Sequence, residues 1–170
     1  MFYFDESLKK YESEYLWDNA LQYLDNEFKG QPTRQKLNSL VGFSWFYLLE
    51  GPVESKKYEK GESSLALHMW EKYLEIGLES YRDMDDFCFI AGYTILLHGF
   101  YTNKYKYNHK QLGINLLKNI KDSNLTEIVK VVLDMEKQKR YHPLKVKDGI
   151  VDKLFAGDSL LDNYFQELYG

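Results

Sequence analysis

The sequence predicts an all-α protein of about seven helices, packed as antiparallel hairpins. Apolar residues recur every three or four positions along the chain, and no segment keeps the period-two alternation of a strand. Only 3 prolines occur among 170 residues, and they fall between the periodic segments. A chain of this length can bury one core, so we expect a single helical domain over 1–170.

The first three helices are bounded by recognisable start and stop residues. A first helix over about 6–28 carries Tyr15 on its apolar face and has a candidate break near Trp17. Thr33 is a suitable N-cap for the second helix, which should end at Gly51 before a proline. The third helix should start after a serine at 63 or 64 and run to about 81.

The second half continues in the same way. A strongly apolar helix begins after Asp85 and Asp86, whose charges suit a helix N-terminus, and it should form a buried core helix over 87–101. Further helices are predicted near 110–120, from a capping box of Asn124 and Glu127 to a histidine-proline pair at 142–143, and over 150–156 and 159–168.

A weak internal repeat suggests a short α-α array. The spacing Trp-x3-Leu-x6-aromatic occurs from Trp17 and again from Trp70, and each match precedes an apolar helix. Gly42 and Gly92 sit early in those apolar helices, where a missing side chain permits close helix packing. A chance alignment of two amphipathic helices is the alternative interpretation.

Several features indicate a cytoplasmic protein without a membrane segment. The N-terminus lacks the basic start, apolar stretch and cleavage site of a signal peptide. The apolar run at 87–101 is too short to cross a bilayer of roughly 30 Å. The single cysteine, Cys88, excludes a disulfide framework and is expected to be a buried packing residue.

We find no pattern that indicates an enzyme, a cofactor or a metal site. The 4 histidines are far apart, and no phosphate-binding loop or serine-nucleophile motif is present. His98 lies on an apolar helix, where a hydrogen-bonded core histidine is expected. The acids at 83–86 lack the spacing of a calcium loop and suit helix capping instead.

Charge is unevenly distributed along the chain. Residues 101–147 contain 11 basic and 4 acidic residues, a balance of +7 within a protein of net charge −4. The stretch YTNKYKYNHK alternates tyrosine with lysine, which suits either stacking on single-stranded nucleic acid or a solvated loop. Because the protein is acidic overall, nucleic acid is not the partner that we expect.

Two stretches, LHMWEKYLEIGLES and FIAGYTILLHGFY, in a small acidic aromatic-rich helical chain, resemble the immunity proteins of bacterial contact-dependent growth inhibition and related polymorphic toxin systems. The resemblance implies an inhibitor that binds a cognate basic toxin, often a nuclease, and occludes its active site. Acidic side chains would then stand in for the phosphates of the toxin's substrate, with aromatic anchors beside them.

Under this resemblance the predicted interface comprises five acids and two tyrosines: Asp83, Asp85, Asp86, Glu50, Glu54, Tyr58 and Tyr81. Two other functions stay open at this point. A helical-repeat adaptor would bind a cellular protein through its aromatic residues, whereas an RNA-binding protein would use Tyr105, Lys106 and Tyr107.

Overall fold

The computed structural model describes residues 1–51, 65–102, 104–139, 146 and 149–170. Within these residues the regular structure is helical throughout, with nine α-helices and one short 3-10 turn. The described chain forms two compact units, an N-terminal unit of Phe2–Tyr81 and a C-terminal unit of Arg82–Gly170 together with Met1. The all-α prediction is therefore confirmed for the described part of the chain.

The N-terminal unit contains four helices, in which consecutive helices pack against one another. They are α1 (Glu6–Ser13), α2 (Trp17–Gly30), α3 (Arg34–Glu50) and α4 (Leu65–Ser80). Helix α3 contacts both α2 and α4, and every residue over 36–48 is buried. The Thr33 side chain accepts a hydrogen bond from the Lys36 amide, and Gly51 ends the helix, as the sequence predicted.

The first predicted helix is divided into α1 and α2 by a turn at Tyr15. The Tyr15 amide donates to the Glu12 carbonyl and the Leu16 amide donates to the Tyr11 carbonyl, the hydrogen-bond pattern of a Schellman motif. Tyr15 has a positive φ of 57°, a conformation that usually requires glycine. The predicted break near Trp17 is therefore confirmed, whereas the assignment of Tyr15 to the apolar face is wrong, because the chain leaves the helix there and the side chain is 75% exposed.

A buried carboxylate joins α2 to α4. Asp25 is 7% exposed, and its oxygens accept hydrogen bonds from Lys29 Nζ at 2.5 Å, from Lys72 Nζ at 2.9 Å and from the Tyr73 hydroxyl. Burial pushes the pKa of Asp25 upward, but the hydrogen bonds from Lys29, Tyr73 and Lys72 outweigh it and hold the pKa at about 2. The carboxylate is therefore ionised throughout the neutral range.

The C-terminal unit surrounds a helix that is apolar on all sides. Its elements are α5 (Asp85–His98), a 3-10 turn (Gly99–Tyr101), α6 (His109–Lys118), α7 (Ser123–Gln138), α8 (Ile150–Leu154) and α9 (Leu160–Tyr169). Every residue of α5 over 87–96 is buried, including Cys88, as expected. Phe89 contacts Phe155 and Phe165, whose own rings stack at 4.6 Å, so α8 and α9 cover one side of α5.

Two glycines let α5 and α6 pack closely. A Cβ atom on Gly92 would lie 2.9 Å from Leu117 Cγ and 3.1 Å from the Gly113 carbonyl oxygen. A Cβ atom on Gly113 would lie 2.8 Å from both the Gly92 carbonyl oxygen and the Leu96 amide nitrogen. The predicted role of Gly92 in close helix packing is thus confirmed, and Gly113 is its counterpart on α6.

Some predicted boundaries differ from the observed ones. Helix α7 is capped by Asp122, which accepts from the Asn124 and Leu125 amides, so the predicted cap at Asn124 is wrong. The same helix ends at Gln138, followed by Lys139 with a left-handed φ of 51°. The predicted stops at 142–143 and the predicted caps at 63 and 64 lie outside the described residues.

The two members of the internal repeat take different positions in their helices. Trp17 is the first residue of α2, whereas Trp70 lies in the middle of α4, and both are buried. Phe28 lies inside α2, but Tyr81 falls after the end of α4. None of the described helices combines the length and the apolar character that crossing a bilayer requires.

We expect Asp25→Asn to lower the free energy of unfolding by about 1–2 kcal/mol, because an amide weakens the charge-assisted hydrogen bonds from Lys29 and Lys72, whose partly exposed ammonium groups can still be hydrated. Urea unfolding at pH 7 measures this, with Asp83→Asn as a control that should change stability by less than about 0.5 kcal/mol. The depressed pKa of Asp25 stabilises the fold above pH 3.8, and this stabilisation is lost as the pH falls toward about 2. The variant should lack this acid-dependent loss.

We expect Gly113→Ala to destabilise the protein by about 1–3 kcal/mol, because the added methyl group would meet backbone atoms of α5 that cannot rotate away. Gly30→Ala is the matched control, since a Cβ atom at Gly30 meets no atom within 4 Å. Thermal unfolding of both variants checks the expectation. Equal stability of the two alanine variants would contradict the close packing of α5 on α6.

Candidate functional site

A surface pocket of about 260 Å³ lies at the start of α5 in the C-terminal unit. Charged and polar side chains line it: Arg82, Asp83, Asp85, Cys88, Asn119 and Lys121. Arg82 and Asp83 precede α5, whereas Asn119 and Lys121 belong to the connection between α6 and α7. The pocket therefore brings together residues from two separate parts of the sequence.

Asp85 holds the connection between α6 and α7. Its Oδ2 atom accepts hydrogen bonds from the Lys121 amide at 3.1 Å and from the Asp122 amide at 2.6 Å. Asp122 in turn caps α7. The Asp85 carboxylate thus holds the α6–α7 connection, which lines the pocket and leads into α7. Its role is therefore structural.

Cys88 contributes a protonated thiol to the pocket. Its Sγ atom donates a hydrogen bond to the Arg82 carbonyl oxygen at 2.9 Å, which ties the residues before α5 to the helix. Burial raises the pKa of Cys88 to about 11, and the neighbouring Asp85 and Asp83 carboxylates add to this effect. Because a thiolate is the reactive form of cysteine, this residue is a poor nucleophile at neutral pH.

An exposed acid of the pocket is followed in the sequence by an exposed apolar residue. Asp83 is exposed, and the adjacent Met84 is 42% exposed although it is a large hydrophobic residue. Met84 occupies the N-cap position of α5 without making a side-chain capping bond. Among the described residues no group of three or more His, Cys, Asp or Glu side chains could hold a metal ion. Asp83 and Met84 present a charged and an apolar side chain to solvent next to each other in the chain.

The predicted interface residues have different surroundings. Asp83 and Asp85 share the pocket, and Asp86 lies in the first turn of α5, where its carboxylate accepts from the Phe87 amide at 3.0 Å. In the N-terminal unit, Glu50 is exposed at the end of α3 and Tyr81 is partly buried. Glu54 and Tyr58 lie outside the described residues.

Sequence reasoning missed Asn119 and Lys121 as neighbours of these acids, and it did not assign Met84 to the interface. From the sequence, only the acids of this region were predicted to contribute to a binding surface. Nothing in the local sequence places Lys121 beside Asp85, because that proximity arises from the packing of α5 against α6 and α7. Arg82 and Lys121 bring two positive charges into the pocket beside Asp83 and Asp85.

His98 is a neutral residue at the end of α5. Burial lowers the pKa of His98 to about 4, so the imidazole is uncharged at neutral pH. Its ring stacks against Phe100 at 6.1 Å, and the Phe100 ring also meets His109 at 5.9 Å. His98 is half-buried, so it lies at the edge of the core and not inside it, where the sequence predicted a hydrogen-bonded core histidine.

The lysine- and tyrosine-rich stretch contains tyrosines in opposite environments. Tyr105 is 4% exposed, so it is not available for stacking on a base, contrary to its proposed use in RNA binding. Tyr107 is 93% exposed, and Lys106 Nζ lies 6.0 Å from the centroid of its ring. Phe100 is a further aromatic residue of this region, with 45% of its surface exposed.

The chain matches no protein-family model, and neither a curated protein nor a solved structure is significantly similar to it. The functional conclusion therefore rests on the residues and their geometry.

Proposed function

We propose that this chain binds and neutralises a basic protein partner, in the manner of the immunity proteins that its sequence resembles. The observation that carries the proposal is the exposed pair of Asp83, which lines the α5 pocket, and Met84, the next residue in the chain. The partner would be a cognate toxin, with a nuclease domain as the preferred class. The inhibitor would act in the cytoplasm of the cell that makes it.

The proposed mechanism is that Asp83 and Met84 occlude the basic substrate groove of the toxin. A nuclease attracts phosphates with lysine and arginine side chains, and an exposed carboxylate such as Asp83 can occupy the same positions. Complementary charge accelerates encounter, whereas desolvated apolar contacts at Met84 slow dissociation. Asp86 lies on the same helix turn and adds negative charge, while Asp85 holds the pocket wall in place.

We expect Asp83→Lys combined with Met84→Ser to weaken partner binding by more than tenfold and to leave the fold intact. Serine is a favourable N-cap residue, so the change at Met84 should not destabilise α5. Glu167→Lys is the charge-matched control, because Glu167 is an exposed acid on α9. Affinity capture with the tagged protein and mass spectrometry identify the partner, and isothermal titration calorimetry then compares the variants.

Two results would contradict the proposal in different ways. Equal affinity of the double variant and the Glu167 variant would mean that Asp83 and Met84 lie outside the interface. Retention of no basic polypeptide in near-equal amount would count against the toxin-inhibitor function itself. A complex whose association rate is insensitive to salt would favour the helical adaptor, because steering by charge is screened within about 10 Å at 0.1 M salt.

Single-stranded nucleic acid is a second candidate ligand, and the exposure of Tyr107 and Phe100 favours it. Both rings are accessible in a region that also carries Lys104 and Lys106 as exposed cations. Stacking of bases on such rings is worth about 1–3 kcal/mol per base.

If this candidate is correct, Tyr107→Ala should weaken the binding of a fluorescent oligouridine by about tenfold in an anisotropy titration. Tyr105→Phe is the control, since it keeps the buried ring. The wild-type affinity should also fall steeply as salt increases. Absence of binding at low salt would eliminate this candidate and would leave the protein-binding proposal unaffected.

A further inference from the structure

The turn between α1 and α2 exposes two apolar side chains next to each other. Tyr15 is 75% exposed and Leu16 is 40% exposed. Sequence reasoning assigned Tyr15 to the buried face of a helix, so this surface has no counterpart among the predicted interface residues. We call Tyr15 and Leu16 together the α1–α2 corner.

The backbone at Tyr15 is unfavourable for a tyrosine. Its φ of 57° places it at the left-handed position of the Schellman motif, where glycine is the usual residue because a Cβ atom is crowded there. The exposed ring buries too little surface to offset this cost through packing. Folding would therefore favour glycine at this position, and the tyrosine requires another explanation. A residue that opposes local stability is commonly found at a functional site.

The ring of Tyr15 lies at the edge of a buried aromatic cluster. Its centroid lies 6.5 Å from that of Trp17, which is 8% exposed. Trp17 packs against the rings of Phe43, Phe46 and Tyr47 at 5.7, 5.8 and 5.3 Å. Because Tyr15 belongs to a hydrogen-bonded turn, its backbone loses less conformational entropy on binding than that of a residue in a mobile loop.

The surroundings of the corner are acidic. Residues 10–20 contain one lysine and three acids, a balance of 1 − 3 = −2. Glu14 and Asp18 flank the two apolar residues, and both are exposed. A partner surface that accepts the Tyr15 ring would meet these two carboxylates at its edge. Basic side chains around a hollow of aromatic size would complement this arrangement.

We propose that the α1–α2 corner is a docking site for a basic polypeptide, with Tyr15 as the aromatic anchor and Glu14 and Asp18 as its charged flank. The inference rests on the proposed function, since it assigns a contact surface for the same class of partner. It differs from that proposal in the residues involved, which belong to the N-terminal unit.

The test separates folding from binding at one residue. Tyr15→Gly removes the ring and relieves the backbone, so we expect a higher urea midpoint together with at least tenfold weaker binding. Lys139→Gly is the matched control, because Lys139 also follows a helix with a left-handed φ of 51°. The control should raise the urea midpoint in the same way and leave the affinity unchanged. Tyr15→Asn provides a second variant, since asparagine tolerates this conformation.

The probe is the polypeptide that cross-links to the full chain carrying p-benzoylphenylalanine in place of Tyr15. Irradiation in the host cell should give one discrete adduct with a basic polypeptide, which is then produced and titrated against the glycine variants. The same amino acid at Tyr107, which is 93% exposed, controls for nonspecific cross-linking.

The outcomes distinguish this inference from the broader proposal. If the wild type binds a basic polypeptide and both Tyr15 variants bind it equally well, the corner is not a docking site, and the proposed function stands. If the wild type binds no basic polypeptide, the proposed function fails, and the inference fails with it. Cross-linking of position 15 to nucleic acid, or the same adducts from positions 15 and 107, would also overturn the inference.

Discussion

Both units of this protein are organised by a helix that is buried on every side over most of its length. Each residue of α3 over 36–48 and of α5 over 87–96 is buried. A helix of this kind cannot leave a face in water, so other helices must cover it all round. The amphipathic helices α2 and α4 pack on α3, while α6 and α7 pack on α5. The close contact at Gly92 and Gly113 follows from the same requirement.

The packing of other helices on α3 and α5 also decides which charged side chains are held in hydrogen bonds within the fold. Asp25 is enclosed where α2 meets α4, so it needs the nearby lysines and the Tyr73 hydroxyl to compensate for lost hydration. Asp85 is drawn into hydrogen bonds with the connection between α6 and α7. Asp83, two residues earlier, is exposed at the rim of the pocket. Acids that look alike in the sequence therefore perform different tasks.

The abundant aromatic residues also fall into a buried group and an exposed group. Trp45, Trp70 and Phe165 are almost completely buried and fill the two cores, which is the common use of large apolar rings. Tyr15 and Tyr107 are largely exposed, and their rings add little to packing. An exposed ring on an ordered backbone is a feature of binding surfaces, which is why Tyr15 and Tyr107 enter the binding proposals.

The sequence by itself determined the features that depend on local spacing and composition. The helical class, the cap at Thr33, the end of α3 at Gly51 and the buried apolar helix around Cys88 could all be predicted, because each depends on residues a few positions apart. The acids near the α5 pocket were also recognisable as a cluster.

Only the tertiary structure decided which of these residues are exposed and what they contact. Helical spacing placed Tyr15 in a core, yet the chain turns there, and Asp122 rather than Asn124 caps α7. Tyr105 and Tyr107 lie two positions apart, but one is buried and the other is exposed. Exposure depends on which distant segments pack over a side chain, and hydrophobic periodicity carries no information about those segments.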